Sequence, residues 1–112
     1  MRDDRERLLD IVEAIQLVEQ YSIQGRDAFD HEPLIQVWNV HYLQIVGEAA
    51  RQLSSDFIQA HPEIPWAQII AMRNILVHDY FGIDLEEVWS AVEQNIQPLK
   101  LQVLDILKQW GN

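Results

Sequence analysis

The sequence predicts an all-α protein: an antiparallel helical bundle of four main helices plus a short one, in a single domain that spans residues 1–112. Apolar residues recur at intervals of three and four along most of the chain, which is the period of an amphipathic helix. No segment alternates apolar and polar residues as a half-buried strand does. With 112 residues, the chain is long enough for one hydrophobic core and too short for two.

The first half of the chain contains two of the main helices. Gly25 ends the first helix, and residues 25–32 are predicted to form a polar loop. Pro33 suits the first turn of the second helix, which extends to Leu53. The first helix covers residues 3–22, and its apolar face is formed by Leu8, Ile11, Val12, Ile15 and Val18.

The second half begins with a cluster of capping residues, 54–56, which opens a short helix that Pro62 ends. Pro65 then opens the third main helix, which is predicted to run to about Tyr80, with Gly82 as its C-terminal stop.

The fourth main helix begins at a capping pattern formed by Asp84 and Glu87. Its apolar seam continues to Trp110. Pro98 falls inside this seam, so we expect the helix to be kinked or divided there.

Composition places the chain among ordinary globular proteins, with 48% hydrophobic and 23% charged residues. The absence of cysteine excludes disulfides and thiolate metal sites.

The charged N-terminus is not followed by the apolar segment of a signal peptide, and no apolar run approaches the ~18 residues of a membrane span. We therefore expect a cytoplasmic protein.

Net charge restricts the partners that the chain can bind. Eight Lys and Arg against eighteen Asp and Glu give 8 − 18 = −10. This balance argues against a general nucleic-acid binder, because phosphate contacts normally need a basic surface. It is compatible with a nuclease that has a small, locally positive cleft, and it suits a protein that is bound by a basic partner.

Residues 72–81 combine polar, chemically versatile side chains with an apolar helical pattern. Arg73 points into the apolar arc of the third helix, so it must meet a carboxylate or face a polar cleft. Glu48 is either a solvent-facing glutamate or that carboxylate, because it lies in a small-residue stretch, 45–50, that permits close approach of another helix. Asn74 and His78 are neighbours at i and i+4.

Arg73 and His78 are about 140° apart on an ideal helix. Their side chains converge only through the long arginine side chain, a distorted helix end or a second copy of the chain. The third helix is apolar over most of its circumference, which indicates that it is covered on two sides. We therefore expect a homodimer that forms through this helix.

Arginine and histidine together can cleave RNA without a metal. Histidine titrates near neutral pH and can remove the 2′-hydroxyl proton, while arginine stabilises the charge that develops on the phosphate. The structural alternative is an ion-paired arginine and a histidine near a helix C-terminus. His31, His41 and His61 form no metal-binding pattern, so no metal site is predicted.

The arginine, histidine and tyrosine of residues 73–80 follow the pattern R-x4-H-x-Y, which resembles the signature of HepT-like HEPN toxins. Residues 45–50, the Pro65–Trp66 start of the third helix and residues 80–85 are also similar to the family pattern. The resemblance covers essentially the whole chain and implies a HEPN-like helical domain.

The resemblance implies a toxin of a type VII-like toxin–antitoxin system. Such a toxin is a metal-independent endoribonuclease without a cofactor, and its substrate is expected to be a tRNA. Its two R-x4-H motifs lie at the interface of a homodimer. Arg73 and His78 would then be catalytic, with Asn74 beside them, and Glu48 would support them. The antitoxin would be a minimal nucleotidyltransferase that transfers AMP from ATP to Tyr80.

An alternative function belongs to a different class. The chain could be a non-catalytic helical partner, or a nucleotide-binding module, of a nucleotidyltransferase. The acidic balance favours this alternative. A purely structural role for the motif would require that Glu48 neutralise Arg73 fully and that no open cleft surround His78.

Overall fold

A computed structural model of the chain describes residues 3–77 and 84–110, with residues 74–77 described by their backbone alone. The described chain is helical and confirms the predicted all-α class. Its elements are α1 (Asp4–Ser22), α2 (Arg26–His31), α3 (Pro33–Arg51), α4 (Ser55–Ala60), α5 (Trp66–Val77), α6 (Leu85–Ser90), a π-helical turn (Ala91–Asn95) and α7 (Ile96–Trp110). No described helix has both the length and the apolar character needed to cross a membrane.

The core lies where α1 packs against α3 on one side and α7 on another, and α5 covers a further side of α3. Apolar residues at helical spacing supply it, so the periodicity of the sequence is what places them inside. The largest fully buried side chains are Leu8, Ile11, Ile15, Val18, Phe29, Leu43, Val46, Ile69, Val88, Ile96, Leu99 and Val103.

Capping residues fix the starts of several helices, as the sequence predicts. Asp84 accepts a hydrogen bond from the backbone of Glu87 at the start of α6. Ser54 accepts one from the backbone N–H of Phe57 at the start of α4. Ser54 also donates its backbone N–H and its hydroxyl to the Asp4 carboxylate, over 2.9 and 2.6 Å. This cap therefore joins the start of α4 to the start of α1.

The prediction of a polar loop at residues 25–32 is wrong, because most of this segment is α2. Gly25 begins it with a positive φ of 94°, which glycine adopts without steric cost. Phe29 is buried and packs against the ring of Trp89, with 5.3 Å between the ring centroids. Gln36 donates to the Phe29 and Asp30 carbonyls at the end of α2. A single buried aromatic ring anchors a helix of otherwise polar composition.

The fourth main helix is distorted, as the proline within it predicts. The π-helical turn lies directly before the turn that contains Pro98 and divides α6 from α7. The Ile96 N–H donates to the carbonyl of Ala91, five residues earlier. A widened turn at this point relieves the clash between the proline ring and the preceding turn of helix.

Candidate functional site

Helices α3 and α5 approach each other at Gly47. A methyl group at this position would lie 2.9 Å from the backbone N of Arg73 and 3.2 Å from the carbonyl O of Ile69. Both are backbone atoms of a helix and cannot rotate away, so only glycine fits here. The small-residue stretch therefore permits close approach, as the sequence predicts.

Helix α5 runs antiparallel to α3. Trp66, at its start, packs against Phe57 of α4, which follows the C-terminal end of α3. Seven residues later, Arg73 has reached Gly47, about one turn inside α3 from that end. This register places Arg73 beside the next residue of α3, Glu48.

Glu48 is the carboxylate partner of Arg73. The Nη1 atom of Arg73 lies 3.2 Å from Oε2 of Glu48. Arg51 donates to the same carboxylate from Nη2 and Nε, over 2.7 and 3.3 Å, and Gln52 donates over 2.9 Å. We refer to Glu48, Arg51, Gln52 and Arg73 as the Glu48 cluster.

The hydrogen bonds of the Glu48 cluster favour the charged form of its carboxylate. They lower the pKa of Glu48 to about 2, chiefly through the bond from Arg51, then through the bond from Gln52, with a smaller contribution from the charge of Arg73. The same pairing raises the pKa of Arg51. Glu48 is therefore an anion near neutral pH.

The Glu48 cluster has more positive than negative charge. Among the described residues, it combines two guanidinium groups with one carboxylate, which gives a local charge of 2 − 1 = +1. The Arg73 side chain is 37% exposed, and its buried Nε atom has no hydrogen-bond partner in the described part of the chain. Arg73 is thus held in place while part of its guanidinium faces solvent, as anion binding requires.

The structure brings two of the predicted site residues together, namely Arg73 and Glu48. Asn74 lies in α5 and is described by its backbone, while His78 and Tyr80 lie outside the described residues. Sequence reasoning missed Arg51 and Gln52 as members of the cluster. Their positions, three and four residues after Glu48 on one helix, were a usable signal.

The other histidines have separate local environments. Nδ1 of His31 lies 2.8 Å from the Asp27 carbonyl in the last turn of α2. His61 lies 3.3 Å from the Glu63 carboxylate. His41 is exposed on α3, where its ring packs edge-on against Tyr42. Within residues 3–77 and 84–110, no three histidine or carboxylate side chains are grouped as metal ligands.

Known proteins resemble the chain over most of its length. A family model described as "Ribonuclease HepT-like" matches residues 11–106. A protein of Thermococcus cleftensis named "Probable ribonuclease HepT" is 37% identical over 100 residues, which cover 88% of this chain and 91% of that protein.

Two further relatives are named as RNases. One "Putative RNase" of Methanocaldococcus jannaschii is 33% identical over 91% of this chain and 94% of its own length. Another, from Caldanaerobacter subterraneus, is 32% identical over 83% of each chain. No solved structure matches the chain significantly.

Proposed function

Because the chain belongs to the HepT-like ribonuclease family, we propose that it is a metal-independent endoribonuclease whose catalytic residues are Arg73 and His78. The observation that carries this proposal is the position of Arg73, whose side chain is 37% exposed in a cluster with an excess positive charge. A phosphodiester needs such a cation as negative charge develops on its oxygens.

In the proposed reaction, His78 removes the proton from a ribose 2′-hydroxyl, and this oxygen attacks the adjacent phosphorus. The bond from phosphorus to the 5′-oxygen breaks, which leaves a 2′,3′-cyclic phosphate, and the 5′-oxygen takes up a proton from water. Arg73 stabilises the charge on the non-bridging oxygens throughout. Asn74 orients the phosphate or holds His78 in its working tautomer.

Glu48 supports this reaction by fixing the direction of the Arg73 side chain. The carboxylate is also hydrogen-bonded to Arg51 and Gln52, so it remains satisfied when a phosphate draws Arg73 away. Arg73 can therefore turn its remaining guanidinium donors to a phosphate while Nη1 stays near Glu48, and no carboxylate is left uncompensated.

The proposed enzyme is a homodimer whose two R-x4-H motifs share one cleft. Two features of α5 support this assembly. Helix α5 has apolar residues around most of its circumference, and Ile70 and Ala71 are only partly buried within one copy. A second copy would also bring another arginine and histidine to the cleft.

The biological role that we propose is that of the toxin in a toxin–antitoxin pair, with tRNA as the substrate. A minimal nucleotidyltransferase antitoxin adds AMP to Tyr80, two residues after His78. The added phosphate pairs with Arg73, and the adenosine excludes RNA from the cleft.

RNA cleavage by purified protein in EDTA tests the catalytic proposal. We expect Arg73→Ala and His78→Ala each to reduce the cleavage rate by about a hundredfold or more. Arg26→Ala, which removes an arginine from a distant ion pair, is the matched control and should cleave normally. If the parent protein leaves RNA intact but binds its nucleotidyltransferase neighbour, the non-catalytic alternative is correct.

Intact mass of the protein co-expressed with that nucleotidyltransferase tests the regulatory proposal. We expect an increase in steps of one AMP, together with loss of RNA cleavage. Tyr80→Phe should neither gain AMP nor lose RNA cleavage. AMP addition that persists in Tyr80→Phe would exclude this tyrosine as the modified residue.

A further inference from the structure

A groove of about 800 Å³ on the α1 and α3 side of the molecule has an aromatic wall. We propose that it binds bases of single-stranded RNA next to the cleavage site by stacking, an inference that rests on the proposed ribonuclease function. We call it the aromatic groove; its wall is formed by Tyr21, Trp38, His41 and Tyr42.

The rings of this wall form a continuous series. Tyr21 and Trp38 are 5.2 Å apart between ring centroids, Trp38 and Tyr42 are 4.9 Å apart, and His41 and Tyr42 are 4.7 Å apart. The indole N–H of Trp38 donates to the Leu17 carbonyl over 2.6 Å, which fixes the central ring. The rings meet edge to face, at interplanar angles of 86°, 60° and 76°, so a nucleobase stacks on one ring at a time. An aromatic side chain loses little conformational entropy when it binds a flat ligand, and single nucleobases stack on such rings.

The aromatic groove adjoins a second cavity that reaches Glu48, one member of the Glu48 cluster, along α3. Tyr42 lines both this groove and a smaller cavity of about 270 Å³, which Arg7 and the carboxylates of Asp10, Glu13 and Glu48 also line. His41 precedes Glu48 by seven residues, or two helical turns, so the two side chains share a face about 10 Å apart. A strand with a phosphate at Arg73 therefore reaches the aromatic groove within a few nucleotides.

Charge favours stacking as the mode of binding. A protein with a net charge of −10 has few cations for phosphates, and Glu32 is the one carboxylate among the described residues that line the aromatic groove. Stacking needs no cation, so bases can enter while the phosphates remain in solvent. Leu34 and Val37, which are 82% and 59% exposed, extend the apolar surface at the far end.

Binding of a non-cleavable 2′-O-methyl hexanucleotide tests this inference. We expect Tyr42→Leu and His41→Ala each to weaken binding by about tenfold, because each removes one stacking surface. Tyr42→Phe and His41→Phe keep a ring and should bind like the parent. Leu101→Ser, at an exposed position on α7, is the control for loss of apolar surface.

Cleavage kinetics distinguish stacking from general damage to the protein. The ring-removing variants should raise KM for a hexanucleotide at unchanged kcat, and should cleave a dinucleotide at the parental rate. Equal hexanucleotide affinity in all variants would overturn the inference. A second result would also overturn the inference. If a Leu34→Ser, Val37→Ser double variant becomes monomeric and still binds RNA normally, the groove is a contact surface between two copies of the chain.

If the proposed ribonuclease function is wrong, these experiments give a different set of results. If the parent does not cleave RNA, yet binds the hexanucleotide in a manner that depends on the rings of Tyr42 and His41, the aromatic groove is an RNA-binding surface of a non-catalytic protein. If cleavage is normal and the rings make no difference, the ribonuclease proposal holds and the inference about the groove is wrong.

Discussion

Two charged clusters on this protein have opposite compositions. In the Glu48 cluster one carboxylate is shared by two guanidinium groups. At the other cluster one guanidinium, that of Arg26, is shared by the carboxylates of Asp30 and Glu86, and it lies 6.0 Å from the centroid of the Trp89 ring. Among the described residues, the first has a local charge of +1 and the second has a local charge of −1.

Because of this difference, the composition of the Glu48 cluster favours anion binding, whereas the Arg26 cluster has a structural role. The hydrogen bonds to Glu86 and Asp30 raise the pKa of Arg26, and both partners are negative, so a phosphate gains nothing there. Arg26 instead joins α2 to α6 across sixty residues of sequence. The Glu48 cluster retains an excess cation, which gives this acidic protein a locally positive point, as the proposed function requires.

Gly47→Val should have the largest effect on the Glu48 cluster. The new side chain meets backbone atoms of α5, so we expect a loss of about 3 kcal/mol in the free energy of unfolding, measured by urea denaturation. RNA cleavage by the folded fraction should also fall, because Arg73 is displaced. Ala60→Val, at an exposed position on α4, is the matched control. Equal stability of the two variants would show that the close approach is not a constraint.

Glu48→Gln should reduce RNA cleavage by about tenfold, because the amide holds the Arg73 guanidinium less firmly in position. The effect should appear in kcat, since the guanidinium remains present for binding. Glu86→Gln makes the equivalent change at Arg26 and should leave kcat unchanged. If Glu48→Gln cleaves as well as the parent, the carboxylate has no part in positioning Arg73.

Acid should remove the stabilisation that Glu48 provides. Its pKa is about 2 in the folded protein against an ordinary value of 4.5, so this stabilisation is present above pH 4.5 and is lost as the pH falls towards 2. The difference in urea midpoint between the parent and Glu48→Gln should therefore be smaller at pH 3 than at pH 6. A difference that is independent of pH would mean that the charge of Glu48 is not what stabilises the cluster.

Arg26→Gln should have the smallest effect. Its pair with Glu86 is exposed and its pair with Asp30 is only part-buried, so solvent screens both and each contributes little to stability. We expect a small decrease in melting temperature by circular dichroism and unchanged RNA cleavage. A large loss of cleavage in this variant would mean that the Arg26 cluster belongs to the site.

Much of the Glu48 cluster was predictable from the sequence. Arg73 lies in an apolar arc and therefore needs a carboxylate, and Glu48 follows the glycine that permits close packing. The sharing of that carboxylate among Arg51, Gln52 and Arg73 was not foreseen. Which of several nearby donors shares an acceptor depends on side-chain conformations that helical spacing does not determine.

The fold shows the same division between what spacing predicts and what it does not. Caps and apolar periodicity predicted the main helices, and Pro98 predicted a distortion in the fourth. Helix α2 was missed because its six residues are too few for a periodic pattern, and the burial of Phe29 depends on Trp89, sixty residues away in the sequence. The π-helical turn depends on how the proline is accommodated, which neighbouring residues alone do not specify.

The absence of a side chain at Gly47 has a consequence for protein engineering. The spacing between α3 and α5 is set there by main-chain atoms, which are the same whatever residues the surrounding surfaces carry. The exposed faces of both helices can therefore be redesigned for new substrates or partners while the arginine stays in register with its carboxylate.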